Sequence, residues 1–309
     1  MSSPPLDLAA LPQAPGVYRF RDAAGRPLYI GRAVDLRRRV RSYWGSQRGR
    51  PRMRRMVPQI VAVEVAVCDS DHEAAWLERN LLEHRKPRWN RARGGLETPI
   101  YLRLDDSPRS PSLTAVHAVD DHVRHFGPYL GGNQVRLALS ALSSIYPLAY
   151  ARDGLTGAEQ AMAAARGVLP DDRDAIAGAL VALLERSPGA AADAYTWLLA
   201  RRDDATKALE FELAGRLQAQ LEALEWLTSP QRVTTQHPVD HVAAAWADGV
   251  LVEFGIVAGR VKTWTQRACA VDDADVAVAA TRPEWVDFAQ RNAELAAGLH
   301  ALHGVPPVA

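Results

Sequence analysis

Apolar and polar positions alternate at the start of the chain, in Gly16–Arg21 (GVYRFR) and again in Pro27–Gly31 (PLYIG). This period of two predicts two short strands. Asp22-Ala23-Ala24-Gly25 between them supplies the residues of a tight connection. A hairpin centred there places Tyr18 directly opposite Tyr29, with both rings on one face. The period then changes. Leu36, Val40, Tyr43 and Trp44 recur at helical spacing behind Asp35, a good N-cap, which predicts a helix within Arg32–Trp44. Arg32 and Arg39 are seven residues apart, so on that helix they share the side facing the hairpin. Val61–Cys68 (VAVEVAVC) reads as a third strand. Ser70-Asp71-His72-Glu73 is a capping-box signature opening a helix to about His84, which Lys86-Pro87 ends. These elements predict an α/β unit over residues 1–95.

The pattern beyond is mixed. Thr98–Leu104 and Ser112–Val119 read as strands, and Phe126-Gly127-Pro128-Tyr129 as a turn leading into a helix near Asn133–Ile145. Residues 151–188 are alanine-rich and helical, with a break at Gly167–Asp172. Residues 192–228 form the longest helical stretch. There Leu209, Leu213, Leu217, Leu221, Leu224 and Leu227 make a stripe of the kind that seals one helix against another. Phe211 lies off that stripe. His241–Trp246, Val250–Ile256 and Arg260–Arg267 predict a small antiparallel sheet with turns at Asp248-Gly249 and Ala258-Gly259, followed by a helix over Pro283–His303. The expected organisation is therefore an α/β unit at 1–95, a mixed middle region at 96–190, a helical hairpin at 191–232 and a small α+β region at 233–309.

Charge changes the picture more than composition does. The chain of 309 residues has a net charge of +1, but residues 1–95 carry 19 Lys/Arg against 9 Asp/Glu and the remainder 18 against 27. The densest part, Arg32–Arg55, holds ten arginines and the single acid Asp35. Arginine suits bidentate phosphate contact, and Ser42, Tyr43 and Trp44 lie among these cations. A charge run is often only a solvated face, but this one favours nucleic acid. Arg37, Arg38, Arg41, Arg54 and Arg55 are the candidate phosphate contacts. No apolar run reaches the ~20 residues of a membrane helix, and the N-terminus lacks the pattern of a secretory signal. Cys68 and Cys269 are the only cysteines, too few for a four-thiolate metal site. Reduced cysteines and a cytoplasmic location are expected.

Glu78 is the carboxylate that stands out. It lies four residues after Ala74 and four before Leu82, on the border of the apolar side of its helix, where a carboxylate needs a partner. That partner is an arginine or a divalent ion such as Mg²⁺ or Mn²⁺, which favour oxygen ligands. Glu73 is accounted for by the capping box. Asn90 follows a Pro-Arg-Trp turn as a cap or a phosphate contact. Either tyrosine alone is most often a packing residue. Paired beside a cation, their phenols, normally with pKa about 10, are expected to be lowered toward use in proton transfer from water.

These residues also carry a resemblance. GVY and YIG, then GRAVDLRRRV, then EAAWLERNLLE and KPRWN, closely resemble the GIY-YIG nuclease domain, above all the N-terminal half of the excinuclease subunit UvrC and its shorter relative Cho. TPIYLRL, FGPYLGGNQVRLALSAL and IYPL resemble the segment that follows in UvrC, and ALEFELAGRLQAQLEAL the UVR helical hairpin, which in that family contacts UvrB. The resemblance implies Tyr18 and Tyr29 at the scissile phosphate with one of them acting on the attacking water, Arg39 on the phosphate, Glu78 on a single divalent ion and Asn90 shaping the site. Arg32 stands where UvrC commonly has lysine. An arginine there cannot be a neutral base, and its role is electrostatic. Residues 150–190 lack the family's cysteine cluster, so no iron–sulfur centre is expected. The sequence stops before a second nuclease domain, which leads to an expected single cut, on the 3′ side of damage. The implied substrate is damaged double-stranded DNA, with UvrB a candidate partner and no membrane. A non-catalytic adaptor binding DNA and UvrB is the main alternative, although it would not need both tyrosines, Arg39 and Glu78. A standalone nuclease with its own sequence preference is a third, against which the UVR-like stripe argues.

Overall fold

The hairpin forms, with a register of its own. Gly16–Arg21 (β1) and Pro27–Ala33 (β2) pair antiparallel. Tyr18 faces Gly31 and Phe20 faces Tyr29, whereas Arg21 pairs with Pro27, so Leu28 is an extra, bulged residue. The expected direct opposition of Tyr18 and Tyr29 is therefore corrected to a diagonal one. Both rings still occupy one face, because a shift of two residues preserves the alternation. Gly31 is glycine for a steric reason: a Cβ there would lie 2.5 Å from the Tyr18 hydroxyl and 2.7 Å from the Tyr29 ring.

The computed structural model describes residues 7–45, 51–91, 97–236 and 238–301. Leu36–Arg41 (α1) is a six-residue helix whose cap, Asp35, accepts the backbone N–H of Arg38 at 2.9 Å. Arg32 is consequently the penultimate residue of β2 and not part of a helix, which corrects the expected Arg32–Trp44 span. Pro51–Met56 (α2) follows, and Ala62–Val67 (β3) pairs with β1 to complete the order β2-β1-β3. Asp71–His84 (α3) opens with the Ser70 hydroxyl accepting the Glu73 N–H at 3.0 Å. The Glu73 carboxylate reaches back one residue further than a standard box, to the N–H of Asp69 at 2.7 Å.

Residues 98–230 form a second compact unit. Ile100–Asp105 (β4), Ser112–Val116 (β5) and Arg124–Tyr129 (β6) make an antiparallel sheet in the order β5-β4-β6. The segment Phe126–Tyr129, expected as a turn, is thus the end of a strand. Helices Gly132–Ile145 (α4), Gly157–Ala165 (α5), Arg173–Leu184 (α6), Ala192–Lys207 (α7) and Phe211–Thr228 (α8) follow. The long helical stretch is two antiparallel helices. Tyr195 bonds Thr228 and Arg202 bonds Gln218 across them, and the chain reverses at Leu209 with φ +61°. Leu217, Leu224 and Leu227 are buried in a core shared with Leu102, Phe126 and Leu142. Leu209 leaves the expected stripe, lying 71% exposed in the turn.

His241–Ala247 (β7), Val250–Val257 (β8) and Arg260–Ala268 (β9) form a third antiparallel sheet, followed by Val271–Ala279 (α9), which the sequence pattern did not predict, and Pro283–Ala301 (α10). Asp248-Gly249 and Ala258-Gly259 all have positive φ, the requirement of tight two-residue hairpin turns. Residues from Gln231 onward belong to the same compact unit as Met1–Glu97. The four segments read from the sequence are thus gathered into two units. Two devices join the first unit's halves. On the face of β1 opposite Tyr18, the buried Arg19 pairs with Glu64, stacks 4.3 Å over the Trp264 ring and donates to the Trp264 carbonyl at 2.7 Å. Around α3, Asn80 donates to Thr234 at 2.6 Å, the Glu73 carboxylate accepts the N–H of Arg232 at 2.9 Å, and Lys262 bonds Glu83. Nine of the fourteen residues of α3 are buried, because it lies against both β2 and β9. No helix among the described residues is long and apolar enough to cross a membrane.

Candidate active site

Three tyrosines and one arginine form the centre. Tyr18 comes from β1, Tyr29 from β2, and Tyr43 from the turn after α1, four residues beyond Arg39. The ring centroids are 6.1 Å apart for Tyr18–Tyr29, 5.8 Å for Tyr18–Tyr43 and 6.1 Å for Tyr29–Tyr43. The Tyr18 and Tyr43 hydroxyls share a 2.6 Å hydrogen bond, and Arg39 Nε donates to the Tyr18 hydroxyl at 3.2 Å. Tyr43 carries no role in the sequence pattern. The signal available was its spacing from Arg39, which puts the guanidinium 5.6 Å over its ring.

The electrostatics overturn one expectation. Burial pushes the Tyr18 phenol above its ordinary value, and Tyr29 adds to this, while Arg39 and the Tyr43 hydrogen bond pull it down. Burial also pushes Tyr43 up, reinforced by the other two tyrosines. The cation acts in the expected direction, but desolvation outweighs it. Tyr18 and Tyr43 are therefore neutral phenols near pH 7. Tyr29 is the half-buried member of the three, and it lines the open cleft.

Glu78 projects from α3 into the same cleft. Burial raises its pKa, opposed chiefly by the charge of Arg32. Arg32 Nε lies 3.4 Å from the Glu78 carboxylate and Arg32 Nη1 3.3 Å from Asp71. Asp71, read from sequence only as part of the capping signal, is thus a second carboxylate on the cleft wall. Asn90 is buried and paired with the backbone of Ile30. Its Oδ1 accepts the Ile30 N–H at 3.0 Å and its Nδ2 donates to the Ile30 carbonyl at 2.7 Å. It does not cap a helix; it fixes the strand that carries Tyr29 and lines the cleft.

Two adjoining clefts share Tyr29, Arg39 and Glu78. One, of about 470 Å³, includes Tyr18, Arg32 and Asp71. The other, of about 480 Å³, extends along Tyr43, Arg52, Met53, Trp89 and Arg91. Of the expected phosphate contacts, Arg38, Arg41, Arg54 and Arg55 are exposed, with no carboxylate in ion-pair range among the described residues. Arg37 differs: its Nε donates to the Leu11 carbonyl at 2.6 Å, which makes it an anchor for the N-terminal segment. Phe211 lies in the second unit, outside this site, and is 67% exposed. Glu78 offers hard oxygen donors at the edge of solvent. That chemistry suits a hydrated Mg²⁺ or Mn²⁺, which binds through one or two carboxylates and keeps several waters. No group of three or more His, Cys, Asp or Glu side chains among the described residues is placed for a closed metal cage.

A bulged tyrosine hairpin, a cationic helix and a glutamate-bearing helix around one cleft define a domain of the GIY-YIG class. The family model of the UvrC-like GIY-YIG domain matches residues 14–91, so this chain carries a GIY-YIG domain of the UvrC type. Similar proteins include UvrABC system protein C of Chlorobaculum tepidum, 33% identical over 82% of this chain and 44% of the relative. That of Symbiobacterium thermophilum is 34% identical over 78% of this chain and 40% of the relative. The chain thus spans less than half the length of these relatives. Among solved structures, the GIY-YIG N-terminal endonuclease domain of UvrC from Thermotoga maritima, bound to its catalytic magnesium, shares 34% identity over 27% of this chain and 91% of that one, with a TM-score of 0.25.

Proposed function

We propose that this protein is a divalent-metal-dependent DNA endonuclease of nucleotide excision repair that makes one incision in damaged duplex DNA. The observation that carries this reading is the convergence of Tyr29, the Tyr18–Tyr43–Arg39 network and Glu78 on one cleft. Arg39 holds a phosphate oxygen and offsets the charge that develops as water attacks phosphorus. Its geometry is fixed by the neutral Tyr18 hydroxyl, so the cation need not reorganise during the reaction. Tyr29, the accessible phenol, orients the water and takes its proton, passing its own to solvent through the open cleft. A divalent ion on Glu78 would supply Lewis-acid stabilisation of phosphate and leaving-oxygen charge. Arg32 keeps Glu78 aimed at the cleft. Asn90 positions β2.

One catalytic cluster cuts one strand at a time, and in this reading that cut falls on the 3′ side of the lesion. The named system of the relatives, and the exposed Leu209 and Phe211 at the α7–α8 turn, support a protein partner, UvrB in this reading. A repair nuclease of this kind acts on chromosomal DNA in the cytoplasm. The test is incubation with lesion-containing duplex, with and without Mg²⁺ and UvrB, mapping nicks to the nucleotide. A single Mg²⁺-dependent nick 3′ of the lesion is expected. DNA that is bound and never nicked, in any combination, would instead support the adaptor alternative.

A further inference from the structure

We propose that the Trp89 cleft is a nucleotide subsite, which receives one unstacked base of the strand being cut, beside the scissile phosphate. This rests on the nuclease reading. The cleft has a volume of about 480 Å³, within the size range of small-ligand pockets. It shares Tyr29, Arg39 and Glu78 with the reacting cleft, so its occupant adjoins the phosphate under attack. Beyond these and Tyr43, its wall includes Trp89, Met53, Arg52 and Arg91, none of which the chemistry uses.

That wall has the character of a stacking platform. Trp89 is half-buried, and the guanidinium carbons of Arg52 and Arg88 lie 5.8 and 5.6 Å from its ring centroid. Arg52 is itself held, donating to the Arg88 carbonyl at 3.3 Å. The residue is fixed through its backbone: the Trp89 main-chain N–H bonds the carbonyl of the bulged Leu28 at 3.1 Å, and the next residue, Asn90, pairs both ways with Ile30. The bulge that sets the Tyr29 register therefore also sets the depth of Trp89. A flat ring and a thioether present π and polarisable surface, and the cations around them suit the flanking phosphates. A base paired inside a duplex shows no face to such a wall. The cleft selects strands whose bases are already unstacked at the cut, which is a local readout of damage or distortion.

The test uses the full chain and a trinucleotide, dT–2-aminopurine–dT, whose fluorescence falls on stacking, without metal. Quenching is expected, with affinity about tenfold above that of the same trinucleotide abasic at its centre, the range of base–aromatic stacking. Trp89→Ala loses that tenfold and Trp89→Phe recovers most of it. The abasic arm needs no variant, so it decides the matter even if Trp89→Ala does not fold. Equal affinity for the two trinucleotides, or no quenching, overturns the subsite. Mg²⁺-dependent nicking of lesion duplex is measured in parallel. Nicking without quenching overturns the subsite alone, whereas quenching without nicking leaves the subsite and overturns the nuclease reading.

Discussion

The tyrosines at the centre of the site are chemically unequal, and substitution exposes the difference. Tyr29→Phe removes the hydroxyl of the half-buried tyrosine on the cleft wall, so folding is expected to be unchanged and the single-turnover nicking rate to fall by about 10²–10⁴. Tyr18→Phe deletes the hydroxyl that joins Tyr43 to Arg39, so stability drops as well, on the order of 1–2 kcal/mol. Thermal unfolding and nicking measured on both variants check this; wild-type rates in both would make the tyrosines packing residues. Glu78 carries a pH signature. Burial raises its folded pKa, so the folded protein holds this proton more tightly than the unfolded chain, and the cost of the buried anion is present above that pKa. Nicking and Mg²⁺ affinity are expected to rise as pH rises through a window above the ordinary carboxyl value of about 4.3. Glu78→Gln removes the anion and is expected to be inactive yet no less stable at neutral pH. A variant that unfolds more readily at pH 7 would show that Glu78 serves the fold.

The cationic segment divides by what each arginine touches. Replacing Arg38 and Arg41, both exposed, is expected to flatten the salt dependence of DNA affinity by about 0.9 in log–log slope for each phosphate no longer neutralised. Arg37→Ala is expected to lower the melting temperature and leave that slope alone, because Arg37 holds the Leu11 carbonyl. A titration of affinity against salt separates the two results. In the α7–α8 hairpin, Phe211 is too exposed to stabilise its own unit, so Phe211→Ala should leave the melting temperature unchanged. It should weaken capture of UvrB by on the order of 1–3 kcal/mol if Phe211 anchors that interface. An unchanged pull-down would remove Phe211 from the contact. Sequence periodicity locates β1, β2, β3 and α3 and the cap residues Asp35 and Ser70, because local chemistry decides those features. It misplaces Tyr29 relative to Tyr18, because a bulge at Leu28 leaves no mark in a two-residue alternation. It puts Arg32 on a helix because a cationic run looks alike in either element. It expects the α7–α8 hairpin but counts Leu209 in the stripe, because nothing in the spacing marks the reversal that its φ of +61° makes. Trp89 and Asp71 are invisible as cleft residues, since only tertiary folding brings them beside Tyr29.

The first unit is built from two stretches of chain that are distant in sequence, and its stability should answer to both. Asn292 of α10 accepts the Val67 N–H at 2.7 Å and donates to the Val67 carbonyl at 3.2 Å, closing the edge of β3. Asn292→Ala leaves both backbone groups buried without these partners, and a loss on the order of 3 kcal/mol is expected in chemical denaturation. Faster hydrogen exchange in β3 would accompany it. A denaturation curve matching wild type would mean that α10 merely rests on the sheet. The discontinuity also has a consequence in time. The 133 residues from Thr98 to Pro230 must be translated between the two stretches, which at ribosomal speeds takes roughly 7–27 s. Through that interval Arg19 and Glu64 lack the Trp264 that covers them, and α3, with Glu78 on it, lacks β9. A nascent chain thus carries Tyr18, Tyr29, Arg39 and Glu78 well before the second stretch of their unit exists. Completion of the first unit therefore comes late in synthesis, and a ribosome stalled in the middle of the message holds a first unit that lacks its second stretch.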